Sequence, residues 1–330
     1  MLPGAMDEQP QPSEDNLTSE PLAAKSVGGW LRSLAPWLGA AGIFAFLLWE
    51  VPLEEVGSAA RNARLDLFIP EMLATVVFWF LLDSRALAYL VSRFNAPLDW
   101  SEARSMRGVT YLLTALNWNV GTAAIVVYLK RFKAVPALES TSSLFLYGNC
   151  DATIMLGLAL VGSSLFPESA AIEGVQRVAG VSFLIQCLLL VLLAGSFPAW
   201  RWLEKIRGGS LVRSYRLVEP RDLAFIVGIK SVYFVVFIWI FWAGSHAFGI
   251  EIPFALALAS APVIMLVAAI PVTPAGLGTQ AAAMVFFWSD YGDKAEILAF
   301  GLVFPVALTA LRCLLGLVYV RDLLALRRSS

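Results

Sequence analysis

Pro271-Val272-Thr273-Pro274-Ala275-Gly276-Leu277-Gly278-Thr279-Gln280 cuts through an apolar run with helix breakers and polar side chains. A second break, Asn117-Trp118-Asn119-Val120-Gly121-Thr122, does the same in the first half of the chain. In a bilayer such breaks are costly. Freed backbone N–H and C=O groups meet no water in hydrocarbon, so irregular backbone persists only where protein or a wet cavity satisfies it. A broken segment in each half of a polytopic chain points to a transport site near the membrane midplane.

The rest of the sequence is membrane-like. Of 330 residues, 58% are hydrophobic and 15% charged, and the mean hydropathy of +0.72 exceeds that of a soluble domain of this length. Apolar runs lie at 34–53, 67–92, 108–129, 141–166, 178–200, 222–250, 253–290 and 295–320, and several reach the ~20 residues a helix needs to cross the hydrocarbon core. They lack the ten-residue alternation of an outer-membrane barrel, so the expected fold is an all-α polytopic membrane protein. A net charge of -1, with no basic face large enough to neutralise a phosphate backbone, argues against a nucleic-acid partner. Cys150, Cys187 and Cys313 sit within apolar runs and read as packing residues. Residues 1–25 mix acidic side chains with Gln and Pro, which predicts a disordered tail outside the fold. After the first run, Leu53, Val56, Ala60 and Ala63 share one face of a short interfacial helix.

Loop charge sets the expected topology. Segment 201–221 carries Arg201, Lys205, Arg207, Arg213, Arg216 and Arg221, which makes it cytoplasmic. Lys25 and Arg32 at the start, and Arg321, Arg327 and Arg328 at the end, place both termini inside as well, in a bacterial-type cytoplasmic (inner) membrane. The run at 108–129 has Arg93, Arg104 and Arg107 before it and Lys130, Arg131 and Lys133 after it, so both flanks look cytoplasmic. A re-entrant hairpin bent at Asn117–Gly121 satisfies that pattern, each arm of about ten residues being ~15 Å long. The run at 253–290 mirrors it, with Glu251 before and Asp290 and Asp293 after, both flanks external. Six full spans plus two re-entrant hairpins then form an inverted repeat, 26–177 and 178–330; the alternative is eight ordinary spans.

Several residues carry a resemblance to a known family. They are Pro52-Leu53-Glu54-Glu55-Val56 followed by Ala59-Ala60, Arg85 late in the second run, the Asn117–Gly121 break with Tyr128-Leu129-Lys130-Arg131 after it, and the Pro271–Thr279 break. Together with Asp151 and with Arg312 and Gly316, they resemble the lysylphosphatidylglycerol synthase transmembrane region, a flippase-like family, over roughly residues 30 to 325. Family members often carry a Pro-Gly turn with a Gly-Glu pair in the first hairpin and a Glu after the second glycine pair. Here Asn119, Thr122-Ala123 and Gln280 stand instead, so a carboxylate has become a neutral amide or is gone. The family's aminoacyl-transferase domain is not expected, because the chain ends soon after the last run.

The resemblance implies a lipid translocator, and the residues suggest how it would hold its cargo. Arg312, deep in the last run, is a candidate for bidentate contact with phosphate, or else a structural partner of Asp151. Arg85 either binds the same group or snorkels to the headgroups. Lys230 reads as an anchor reaching the cytoplasmic surface. Asn117, Asn119, Thr273 and Gln280 bind a headgroup or satisfy the bent backbone, while Gly121, Gly276 and Gly278 allow close approach. His246 is the single histidine. With no Ser/His/Asp set, no phosphate-cradling Gly-Lys-Ser/Thr loop and no Asp-x-Asp pair, neither an enzyme nor an ATP-driven pump is indicated, and no metal or cofactor is expected. The expected partner is a phospholipid or lipid-linked anionic substrate, with self-association or a partner membrane enzyme compatible with the pattern. The alternative function is a membrane-embedded accessory subunit of a separate glycosyltransferase or lipid synthase.

Overall fold

The computed structural model describes residues 53–114, 118–166, 170–195, 201–269 and 277–326, and every regular element among them is helical. The expected tail, the expected span 34–53 up to Pro52, and Asn117, Thr273 and Gly276 lie outside the described residues. Five helices are long and apolar enough to cross a membrane: Leu65–Phe94, Ala137–Leu165, Ala171–Ala194, Pro220–Ala247 and Lys294–Tyr319. The protein is an all-α polytopic membrane protein.

The short helix α1 (Leu53–Asn62) forms where an amphipathic pattern is expected. Val56 is buried on it, but Leu53, assigned to the same face, is 66% exposed. Helix α2 (Leu65–Phe94) is followed by the pair α3 (Trp100–Thr114) and α4 (Trp118–Phe132), then by α5 (Ala137–Leu165) and α6 (Ala170–Ala194). The basic segment folds into α7 (Arg201–Arg207), a single 3-10 turn and α8 (Arg213–Leu217). Helix α9 (Pro220–Ala247) leads to the pair α10 (Phe254–Ala269) and α11 (Leu277–Trp288), and α12 (Lys294–Leu326) closes the bundle.

Helices α2 and α9 lie antiparallel and are clamped at both ends. At one end the Arg64 N–H donates to the Ala247 carbonyl at 2.9 Å. At the other, Arg93 Nε donates to the Asp222 carboxylate at 3.1 Å and the Tyr89 hydroxyl donates to it at 2.6 Å. Asp222 also starts α9, sharing a reciprocal capping box with Glu219 around Pro220 in the first turn.

In lipid, apolar burial no longer drives helices together, and close packing at small residues takes its place. A Cβ on Gly162 of α5 would stand 2.2 Å from the Ala259 backbone nitrogen of α10, and one on Gly316 of α12 would stand 2.7 Å from the Gly108 carbonyl oxygen of α3. Aromatic contacts fill the core between these crossings. Phe241 meets Trp288, Phe300 and Phe304 at 5.1, 5.4 and 5.1 Å, pairs worth about 0.5–1.5 kcal/mol each. Trp288 reads from sequence as an interfacial anchor. It is instead fully buried, its indole N–H donating to Ser260 Oγ at 3.0 Å.

Both broken runs fold as antiparallel helix pairs. Glu102 near the start of α3 accepts from the Tyr128 hydroxyl and from Lys133 Nζ, each at 2.8 Å, which ties the open ends of the first pair together. Its two arms are 15 residues each, not ten. From sequence the run starts at Gly108, because Arg104 and Arg107 resemble a solvated flank, whereas Arg107 is buried within α3. In the second pair the Glu251 N–H donates to the Tyr291 carbonyl at 3.1 Å, so the chain returns to the level at which it entered. Single cysteines at exposed Ser101 and Arg131 will therefore label from one face of the membrane, and those at Glu251 and Asp290 from one face, in a background without the three native cysteines. Opposite-face labelling within either pair would contradict the hairpin arrangement.

Candidate functional site

Four ionisable side chains meet inside the bundle. Asp83 of α2 and Lys230 of α9 are 3% exposed and Arg107 of α3 is 8% exposed, while the Asp151 side chain of α5 is 21% exposed. Asp83 sits about 15 Å and Lys230 about 12 Å along their helices from the Arg93–Asp222 clamp, both within helices long and apolar enough to cross a membrane. The Arg107 guanidinium donates to Asp83 Oδ2. The Tyr147 hydroxyl donates to Asp83 Oδ1 at 2.6 Å. Lys230 Nζ stands 3.5 Å from Asp83 and 3.0 Å from Asp151, and the rings of Tyr147 and Tyr233 flank it at 4.3 and 4.6 Å. Lys230 is thus no surface anchor. Two carboxylates hold its ammonium inside the bundle because a desolvated charge requires a partner.

Arg312 lies beside this cluster on α12. It is half-buried, donates to the Tyr233 hydroxyl at 3.3 Å, and stacks near Tyr111 and Trp79 at 5.4 and 5.8 Å. Its Nε and the Tyr111 hydroxyl are both buried without a hydrogen-bond partner. The sequence reading offered Asp151 as a structural partner for Arg312; in the structure the Asp151 partner is Lys230. Asp83 and Asp151 offset Arg107 and Lys230, which leaves the charge of Arg312 in excess among the described residues. Two adjacent orphan donors and one uncompensated cation call for an anionic acceptor.

A cavity of about 500 Å³ opens next to the cluster. Arg107, Thr122, Tyr147, Asn149, Asp151 and Gln186 contribute its polar lining. Asn149 Nδ2 donates to the hydroxyl of Tyr215, which also borders the cavity, and Gln186 Nε2 donates to the Asn149 carbonyl at 3.3 Å. Arg107 and Asp151 therefore belong to both the cluster and the cavity.

The other sequence candidates fall around this centre in different ways. Gly121 is buried where the first hairpin's arms meet, and a Cβ there would stand 2.2 Å from Thr114 Cγ2, so its role is close approach. Arg85 is exposed on α2, and among the described contacts none joins it to the cluster. Gly278 is buried and Gln280 half-buried in the first turn of α11, again with no described contact to the cluster. Asn119 lies in the first turn of α4. Sequence reading missed Asp83, Arg107, Lys230 and Tyr147 as a unit. The available signal was that ionisable residues recur at depth within otherwise apolar helices.

Stability does not account for such a cluster, since apolar side chains of similar volume would typically hold these helices together as well. Breaking it from one side is another matter. Asp83→Asn leaves Arg107 without its carboxylate and should cost about 3–5 kcal/mol, whereas Arg312→Gln, which removes one hydrogen bond from a guanidinium to a neutral hydroxyl, should cost about 1.5–3 kcal/mol. Unfolding titrations in mixed micelles will separate the two; equal losses would make Arg312 a structural residue.

Comparison with known proteins agrees with the architecture. No curated protein matches the chain. The family described as Lysylphosphatidylglycerol synthase TM region matches residues 33–316, which takes in all the cluster residues. This multi-pass membrane protein belongs to the lysylphosphatidylglycerol synthase TM region family, which ties it to membrane lipid metabolism or transport.

Proposed function

We propose that this protein is a lipid translocator that moves a phospholipid or related anionic amphiphile between leaflets by alternating access. The observation that carries the reading is the half-buried Arg312, a cation with no carboxylate partner among the described residues and with an orphan donor, which shares Tyr233 and Tyr111 with a charged cluster whose Arg107 and Asp151 line a cavity. A phosphate supplies the missing negative charge and several acceptors, while the acyl tails stay in lipid. Arg312 fixes the phosphate through its planar donor fork, and Arg107 and the cavity amides bind the rest of the headgroup. The two helix pairs act as re-entrant hairpins entering from opposite sides, as the two halves of an inverted repeat would place them. In this reading both termini face the cytoplasm and the protein resides in a cytoplasmic membrane.

An accessory role for another membrane enzyme is the second reading. It is favoured by α6, on which Val181, Leu184, Ile185 and Leu188 are all exposed and could face a partner as well as lipid. Reconstitution decides between them. In proteoliposomes, the wild-type protein should speed exchange of a fluorescent phosphatidylglycerol between leaflets. Arg312→Lys should slow it, and Arg312→Gln should slow it about 10- to 100-fold, the loss of one charge-assisted hydrogen bond worth about 1.5–3 kcal/mol. Wild-type exchange at the protein-free rate would favour the accessory role; wild-type rates in both folded variants would remove Arg312 from the site.

A further inference from the structure

Two carboxylates in the cluster share one ammonium, and they are not equally supported. Asp83 has the Arg107 guanidinium, the Tyr147 hydroxyl and Lys230. Among the described residues, Asp151 has Lys230 alone as an ion-pair partner. That pair is close, at 3.0 Å, but Asp151 Oδ1 has no partner in hydrogen-bonding geometry. Asp151 also lines the cavity, which Asp83 does not.

We propose that Asp151 is a proton site coupled to cargo binding, so that one proton is taken up with each anionic headgroup. The inference rests on the translocator reading and adds its coupling ion. A proton arriving from solvent through the cavity forms an O–H bond on the Asp151 carboxylate. Lys230 then pairs with Asp83 alone, and the positive excess of the cluster rises by one charge. A phosphate binds more tightly to that state, and by linkage the bound phosphate strengthens the hold on the proton to the same degree.

The surroundings select a proton over a metal cation. The Lys230 ammonium already occupies the space beside Asp151 Oδ1, and Arg107 adds a second positive charge to the same cavity. Among the described residues no group of three or more His, Cys, Asp or Glu could hold a metal ion. The titratable and charged groups around Asp151 are Asp83 from α2, Arg107 from α3 and Lys230 from α9, whose ammonium Tyr233 flanks, with Tyr215 from α8 at the cavity edge and Tyr147 and Cys150 on its own helix. Of these, Asp151 is the carboxylate that the cavity reaches.

The test is calorimetric titration of the purified full chain in micelles with dioctanoyl phosphatidylglycerol. Paired buffers of different ionisation enthalpy report the protons taken up. Wild type should take up about one proton per lipid, and its affinity should rise by up to about tenfold for each pH unit lowered. Asp151→Asn should take up none and should bind at every pH as wild type does at low pH. Asp151→Glu should restore uptake, which separates titration from folding. No uptake by wild type, or unchanged uptake by Asp151→Asn, would overturn the assignment, as would uptake that requires sodium in place of choline salts. Failure of wild type to bind phosphatidylglycerol at any pH would overturn the translocator reading and this inference with it.

Discussion

The pairing of Asp83 with Arg107 and Lys230 is the constraint to which the rest of the structure answers. Neither sign of charge is tolerable alone at that depth, so three helices must keep their register with one another for the charges to meet. The Arg93–Asp222 clamp fixes α2 against α9, and the Glu102 contacts to Tyr128 and Lys133 hold α3 beside α4. Those outer polar contacts hold the frame in which the inner ones form.

Packing then supplies rigidity where the bundle needs it. The glycine crossings Gly162–Ala259 and Gly108–Gly316 bring α5 to α10 and α3 to α12 with backbone nearly touching backbone. Each joins a helix of one half of the chain to a helix of the other. The charged cluster does the same, since Lys230 and Arg312 come from the second half while Asp83, Arg107 and Asp151 come from the first. Any rocking of one half against the other must therefore rearrange the pairs of Lys230 with Asp83 and Asp151, which would link conformational change to the charge state of the cluster.

Fold class was legible because hydropathy reports directly on the solvent a helix faces; of the two breaks, Trp118–Gly121 and Leu277–Gly278 fall in the first turns of α4 and α11, and the rest lies outside the described residues. Arg312 stood out as a guanidinium deep in an apolar run, and the structure places it half-buried with its side chain donating to the Tyr233 hydroxyl. Arg107 was misread because a positive charge near the start of an apolar run resembles a cytoplasmic flank. Only the partner, Asp83 on another helix, reveals that it is buried, and partnership across helices is not local information. Lys230 failed likewise: its stem is long enough to reach a surface, and nothing near it in sequence says that two carboxylates hold it inside. Trp288 looked interfacial until its indole found Ser260.

On the proposed reading, an anion binds the Arg312 guanidinium, which has no carboxylate partner among the described residues. The most direct measurement is a cryo-electron microscopy map of the protein in nanodiscs made with an anionic phospholipid. The account predicts phosphate density within hydrogen-bonding distance of Arg312, with the glycerol side of the headgroup toward the cavity bordered by Asn149 and Asp151. Headgroup density confined to the lipid-facing perimeter, with the Arg312 guanidinium held by Tyr233 alone, would contradict it.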